Sequence, residues 1–292
     1  MNIDLKVVLK NKAINEWRLF WLISIPMSII IAITMMGHDM STVHGVREMI
    51  SFSVHWAVPF IFLVVAISSL QILFPGPFPM WLLRNRKYIG MCFAVAMAWQ
   101  GSFILIMSNF FREYYFTDYV LRDELEGSIG YIFLTAMVVT SFRFGRKHLN
   151  QKQWKLLHKS SVYFLWAYAY SVYWWELFYY RTPEAIDYIL YWFGFLAFAL
   201  RIVAWGKQRQ QAVKRNAPES STPLAFKVLG SAFIAFGLFV SATQWQESVT
   251  AFLTAPKWSE NLVLWLPYWP FEPFFSLFII GLGAMLVTKV KT

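Results

Sequence analysis

The chain has 292 residues, 58% hydrophobic and only 14% charged, against about 45–50% and about 25% in soluble globular domains. That balance excludes an ordinary soluble fold. The formal charge of +10 has the sign of a nucleic-acid binder but, as its placement shows, is a topology signal. A single cysteine, Cys92, leaves no intrachain disulfide and no Cys-based metal site.

A helix that crosses lipid needs about 20 mostly apolar residues. Eight segments qualify, which predicts an all-α, polytopic transmembrane helical bundle. The first, Trp17 to Met36, has no small-residue cleavage site after it and is expected to be a retained helix, not a signal peptide. Val54 to Phe74, Tyr88 to Phe111 and Ser128 to Phe144 follow, the fourth being the shortest. Ser160 to Tyr180 and Ala185 to Trp205 form a tight hairpin around Arg181, Thr182 and Pro183. A linker, Ala217 to Pro223, precedes the final pair, Leu224 to Trp245 and Phe271 to Thr288. The expected division is a six-helix core over 1–216 and a two-helix extension over 217–292.

The cations test this reading. Of the 26 Lys and Arg, all but Arg47, Arg112, Arg122, Arg181 and Lys257 fall in the termini and alternate loops on one side. The opposite side holds the acidic cluster Glu113, Asp118, Asp123, Glu124 and Glu126. Cytoplasmic loops carry the excess of Lys and Arg, so both termini are expected in the cytoplasm and the chain in a cytoplasmic (inner) membrane. The lipid bilayer is the expected partner; nucleic acid is not. Trp174, Trp175, Tyr179, Tyr180, Trp265, Tyr268 and Trp269 read as interfacial belts. Pro267, Pro270 and Pro273 bend the approach to the last helix, and Gly281, Gly283 and Ala284 suit close helix packing.

Few residues could carry chemistry at depth. Glu176 is the one carboxylate expected within a span, near the end of the fifth helix, and no buried carboxylate pair supports an ion-coupled transporter. His38, His44 and His55, with Asp39 and Glu48, lie in or beside the first outer loop; imidazole and carboxylate could hold a transition metal there, or be ordinary polar residues. His148 sits in a highly basic loop. His158 stands at the inner mouth of the fifth helix, in Trp154-Lys155-Leu156-Leu157-His158-Lys159.

Two runs carry a family resemblance. Trp81-Leu82-Leu83-Arg84-Asn85-Arg86-Lys87-Tyr88-Ile89-Gly90-Met91 resembles the basic start of the third helix in ferric reductase-like transmembrane proteins. Met137-Val138-Val139-Thr140-Ser141-Phe142, followed by Trp154 to Lys159, resembles the end of the fourth helix and start of the fifth. The group includes the membrane subunit of the bacterial methionine sulfoxide reductase system, and the resemblance covers about the first 200 residues. It implies transmembrane electron transfer through b-type haem held by His on the third and fifth helices. The implied ligand positions are one within the third helix, one at His158 and one about 13 residues further on, about 20 Å deeper.

This sequence departs from that pattern. Gln100 stands at the third-helix position and Ser171 at the deeper fifth-helix position. Both lie about a dozen residues from the inner ends of their helices, so the central haem would lose both imidazoles and is expected to be absent. Met97, one turn before Gln100, is a thioether alternative or helix filler. His158 is either an axial ligand or a hydrogen-bonded residue at the inner interface, where an anionic head group could also meet it. No glycine-rich dinucleotide fingerprint is present. Electrons would then arrive from a separate reductase, a periplasmic redox partner or quinol; the basic inner loops leave room for a flavin. The other reading is a non-redox membrane scaffold, partner-binding subunit or small-molecule carrier that kept the fold.

Overall fold

The computed structural model describes residues 5–118, 121–178, 182–216, 221–243 and 272–289. All regular structure among them is helical. Among the described residues, eight longer helices overlap the apolar segments: α1 Glu16–Met36, α2 Val43–Leu73, α3 Pro77–Phe110, α4 Leu121–Thr140, which stops short of Phe144, α5 Gln151–Phe178, α6 Ala185–Asn216, α7 Leu224–Ala242 and α8 Phe275–Val287. The helices α1, α2, α3, α6 and α7 are long and apolar enough to cross a membrane. The other three depart for visible reasons. α4 opens on Arg122, Asp123, Glu124 and Glu126. The apolar part of α5 is rich in Tyr and Trp, which lowers its mean hydropathy. α8 has 13 residues. The linker residues 217–220, Arg181, Tyr179, Tyr180, Trp245, Lys257, Trp265, Pro267, Tyr268, Trp269, Pro270 and Lys291 lie outside the described residues.

Several helices run beyond the apolar segments. α2 begins at Val43 and α3 at Pro77, each about 11 residues early, and α6 continues to Asn216. Polar residues extend a helix past its apolar segment without difficulty once its hydrogen-bond ladder is running, since propagation is easier than nucleation. Pro77 at the start of α3 costs nothing there, because the first N–H groups of a helix have no intrahelical acceptor.

Two tight turns depend on glycine. A side chain at Gly45 would strike the Asp39 carbonyl, and one at Gly145 the Val139 carbonyl. The first turn precedes α2 and is also held by Asp39, whose carboxylate accepts from the Ser41 N–H at 3.0 Å and hydroxyl at 2.6 Å. Those bonds, the hydroxyl's foremost, hold the Asp39 carboxyl below its usual range. α5 begins in a reciprocal capping box. The Gln153 N–H donates to the Asn150 side chain at 2.9 Å, and the Asn150 N–H to the Gln153 side chain at 3.0 Å.

The chain divides into two compact units. One comprises Met1–Ile67 and Pro75–Tyr168, the other Ser68–Phe74 and Ala169–Thr292. In the first, α1 packs on α3. In the second, α7 packs closely on α8, and α8 also meets α6. A Cβ at Gly230 would lie 2.7 Å from the Gly283 carbonyl oxygen, and one at Gly283 2.6 Å from that of Gly230. Gly237 meets the Ser276 carbonyl just as closely, at 2.8 Å. Gly283 therefore does what its sequence position predicts, whereas Gly281 faces open space. Between lipid-immersed helices there is no hydrophobic driving force, and close backbone approach through small residues supplies van der Waals contact instead.

Candidate functional site

The first unit contains most of the candidate residues. Asn85, fully buried at the start of α3, holds the segment leading into α1. Its side-chain oxygen accepts from the Glu16 N–H at 2.8 Å, and its amide donates to the Asn15 side chain at 2.9 Å and the Trp81 carbonyl at 3.0 Å. Arg84 adds bonds to the Leu9 carbonyl and the Asn15 side chain, and Trp81 donates to the Ile14 carbonyl. Glu16 sits at φ 57°, a left-handed conformation that a side chain other than Gly adopts only with support. The Asn85 bond supplies that support. These polar residues in the basic run Arg84-Asn85-Arg86-Lys87 thus anchor the chain at the entry to α1.

His158 is gripped from α4. Its Nε2 lies 3.0 Å from the Thr140 hydroxyl. The Thr140 proton goes to the Ala136 carbonyl at 2.6 Å. Trp154, one turn earlier on α5, donates from its indole to the Thr140 carbonyl at 3.2 Å and lies 4.3 Å from the His158 ring, centroid to centroid. The Arg146 guanidinium covers the Trp154 ring at 5.2 Å. His158 precedes the apolar part of α5. Burial first, then the charges of Arg86 and Arg146, push its pKa down to about 4. The imidazole is neutral at physiological pH.

Gln100 and Met97 lie on the face of α3 that meets α4. The Tyr131 hydroxyl is 3.1 Å from the Gln100 side-chain oxygen and 3.1 Å from the Met97 carbonyl. Gly101 makes room for that ring: a Cβ there would press on it at 3.3 Å. Ser171 belongs to the second unit, where it is buried. Nearby on α5, Tyr170 stacks on Tyr191 at 5.5 Å, and the Tyr191 hydroxyl donates to the Ser241 carbonyl at 2.9 Å.

The donor set does not fit a haem iron held between two imidazoles. Gln100 offers an amide oxygen already facing a tyrosine hydroxyl, Ser171 offers a hydroxyl, and the Nε2 of His158 lies at hydrogen-bond distance from Thr140. At the other end of α1, the His38 Nδ1 donates to the Thr34 carbonyl at 2.9 Å. The half-exposed His55 lies three turns into α2. His44, largely exposed, faces Glu48 one turn on at 4.0 Å. Among the described residues, no three His, Cys, Asp or Glu side chains gather as a metal-binding group.

Two carboxylates deserve comparison with expectation. Glu176, half-buried, is not the sole acid along the apolar segments. Asp187, in the first turn of α6, is buried and accepts from the Glu184 N–H at 2.8 Å. It is a helix-start cap, favoured by the positive end of the helix dipole. Thr140, Tyr131, Asn85 and Arg146 carry the contacts described above, and the sequence reading gave none of them a structural or chemical role; only the polar Asn85 inside a cationic run was a signal.

No family model, characterised protein or solved structure matches the chain. The five long apolar helices make it a multi-pass membrane protein.

Proposed function

We propose that the protein is a membrane component built on a ferric reductase-like six-helix core that lacks the central haem. It crosses the bilayer eight times with both termini in the cytoplasm, α4, α5 and α8 supplying the crossings beyond the five that length and hydropathy mark. The observation that carries the reading is the Tyr131–Gln100 hydrogen bond. It engages the side chain at the third-helix ligand position with a neighbouring helix. A site that binds iron presents its ligands free and oriented by outer-shell partners.

Without that iron the work becomes a partner-binding or scaffolding task in the inner membrane, with redox chemistry left to a separate reductase or periplasmic partner. His158, gripped by Thr140, then serves as an interfacial hydrogen-bonding residue.

The test is a reduced-minus-oxidised absorption spectrum of the haem-supplied, folded protein in mild detergent. The proposal expects no stoichiometric b-type Soret or alpha band. A band that disappears in His158→Ala would reinstate His158 as an axial ligand and the chain as an electron carrier.

A further inference from the structure

A cation and an apolar groove are joined on the outside of the first unit. Lys87 is exposed, and its ammonium lies over three rings: Phe142 at 5.1 Å, Trp17 at 5.8 Å and Tyr88 at 5.9 Å. Trp17 touches Phe20 edge-on at 5.5 Å, and Phe20 touches Trp21 at 4.7 Å. Phe20 and Trp21 open a groove of about 300 Å³ that continues along α1 through Ser24, Ile25, Ser28 and Ile29 to Ala32, with Val95 of α3 as its far wall.

The groove has an apolar character although two serines line it. The Ser24 hydroxyl is directed at the Cys92 sulfur, and the Ser28 oxygen accepts from the Trp99 indole at 3.1 Å. Both hydroxyls are thereby turned to α3. Trp21, Ile25 and Ile29 remain about half exposed. From Phe20 to Ala32 α1 rises about 18 Å, close to the roughly 15 Å that one leaflet contributes to the hydrocarbon core. The groove therefore has the length of one acyl chain, and Trp17 connects its Phe20 end to the ring cluster under the ammonium.

We infer that this track binds one anionic phospholipid of the cytoplasmic leaflet, its phosphate at Lys87 and an acyl chain in the groove along α1. Arg18 and Arg84, both exposed at the same end of α1 and α3, add to the positive field. The aromatic rings beneath Lys87 hold the ammonium at the interface, as cation–π contact does, and leave its outer side to the phosphate. The inference rests on the proposed membrane topology but not on the haem argument.

Native mass spectrometry of the full chain, released from nanodiscs of phosphatidylglycerol and phosphatidylcholine in equal amounts, tests it. The wild type should retain one phosphatidylglycerol in preference to phosphatidylcholine. Lys87→Gln should lower that preference about fivefold, while Lys87→Arg keeps it. Ala32→Phe, which fills the far end of the groove, should lower retention of both lipids. Equal retention of the two lipids by the wild type, or an unchanged preference in Lys87→Gln, would overturn the inference. Labelling of Lys152→Cys with a membrane-impermeant maleimide in intact spheroplasts separates the two failures: labelling there sinks the topology, whereas protection without lipid preference sinks only the lipid site.

Discussion

The two compact units are held together by different chemistry. The first is stitched with side-chain hydrogen bonds: Asn85 to the entry of α1, Trp99 to Ser28, Tyr131 to Gln100, His158 to Thr140. In the second, close packing stands out. α7 and α8 meet backbone to backbone at three glycines, and Tyr170 and Tyr191 stack. Among its polar bonds, Lys207 caps the end of α2, 2.7 Å from the Ile72 oxygen. Helices in lipid have these two ways to associate, polar bonding and close packing of small residues. The first way fixes particular partners. The second tolerates few changes of volume but asks nothing of polarity.

Substitutions should separate the two modes. The largest loss is expected from Gly283→Ala, whose new methyl would meet the Gly230 carbonyl and the Ile234 nitrogen, 2.6 and 3.0 Å from the added carbon. Overpacking of this kind costs about 1–3 kcal/mol, readable as a shifted unfolding midpoint in mixed micelles. Gly281→Ala, where nothing lies within reach, should instead be neutral or stabilise by up to about 1 kcal/mol. If the two alanines behave alike, the close-packing account of α7 and α8 fails.

Asn85→Ala should come next, at about 1–3 kcal/mol, because it strands the Glu16 N–H and leaves a strained residue without support. An unchanged midpoint would mean that water replaces the lost bond.

His158 gives a pH signature. Its pKa falls from an ordinary 6.5 to about 4 on folding, so between those values the unfolded chain binds more protons than the folded one. Stability should decline as pH drops through that window and hold constant above it. His158→Gln should flatten this decline, as followed by thermal melts at pH 4 to 7. Smallest of all is Tyr131→Phe. Interhelical hydrogen bonds in membranes average about 0.6 kcal/mol, so its midpoint should barely move. A large loss there would mark the Gln100 position as more than a packing contact.

The long apolar helices were legible because apolar runs of about 20 residues are a signal of composition, which no tertiary contact overrides. Their ends were not. α2, α3 and α6 extend through polar residues such as Glu48, Arg84 and Lys214, where hydropathy says nothing and helix propagation decides. Gly283 was legible by its spacing and Gly281 misread for the same reason: spacing marks a small face but not which member of it a neighbour covers. Gln100, Ser171 and His158 could be singled out in the sequence through the family resemblance. Their partners Tyr131 and Thr140 could not, since which tyrosine or threonine of α4 faces α3 or α5 depends on helix rotation.

The central claim is that the chain weaves through lipid with its cationic turns on one side. Single cysteines at two exposed positions, Lys152→Cys and His44→Cys, in a Cys92→Ser background, test it with a membrane-impermeant maleimide on intact spheroplasts. The account predicts labelling at 44 from outside and labelling at 152 only after lysis. Labelling at 152 in intact cells, with 44 protected, would contradict it.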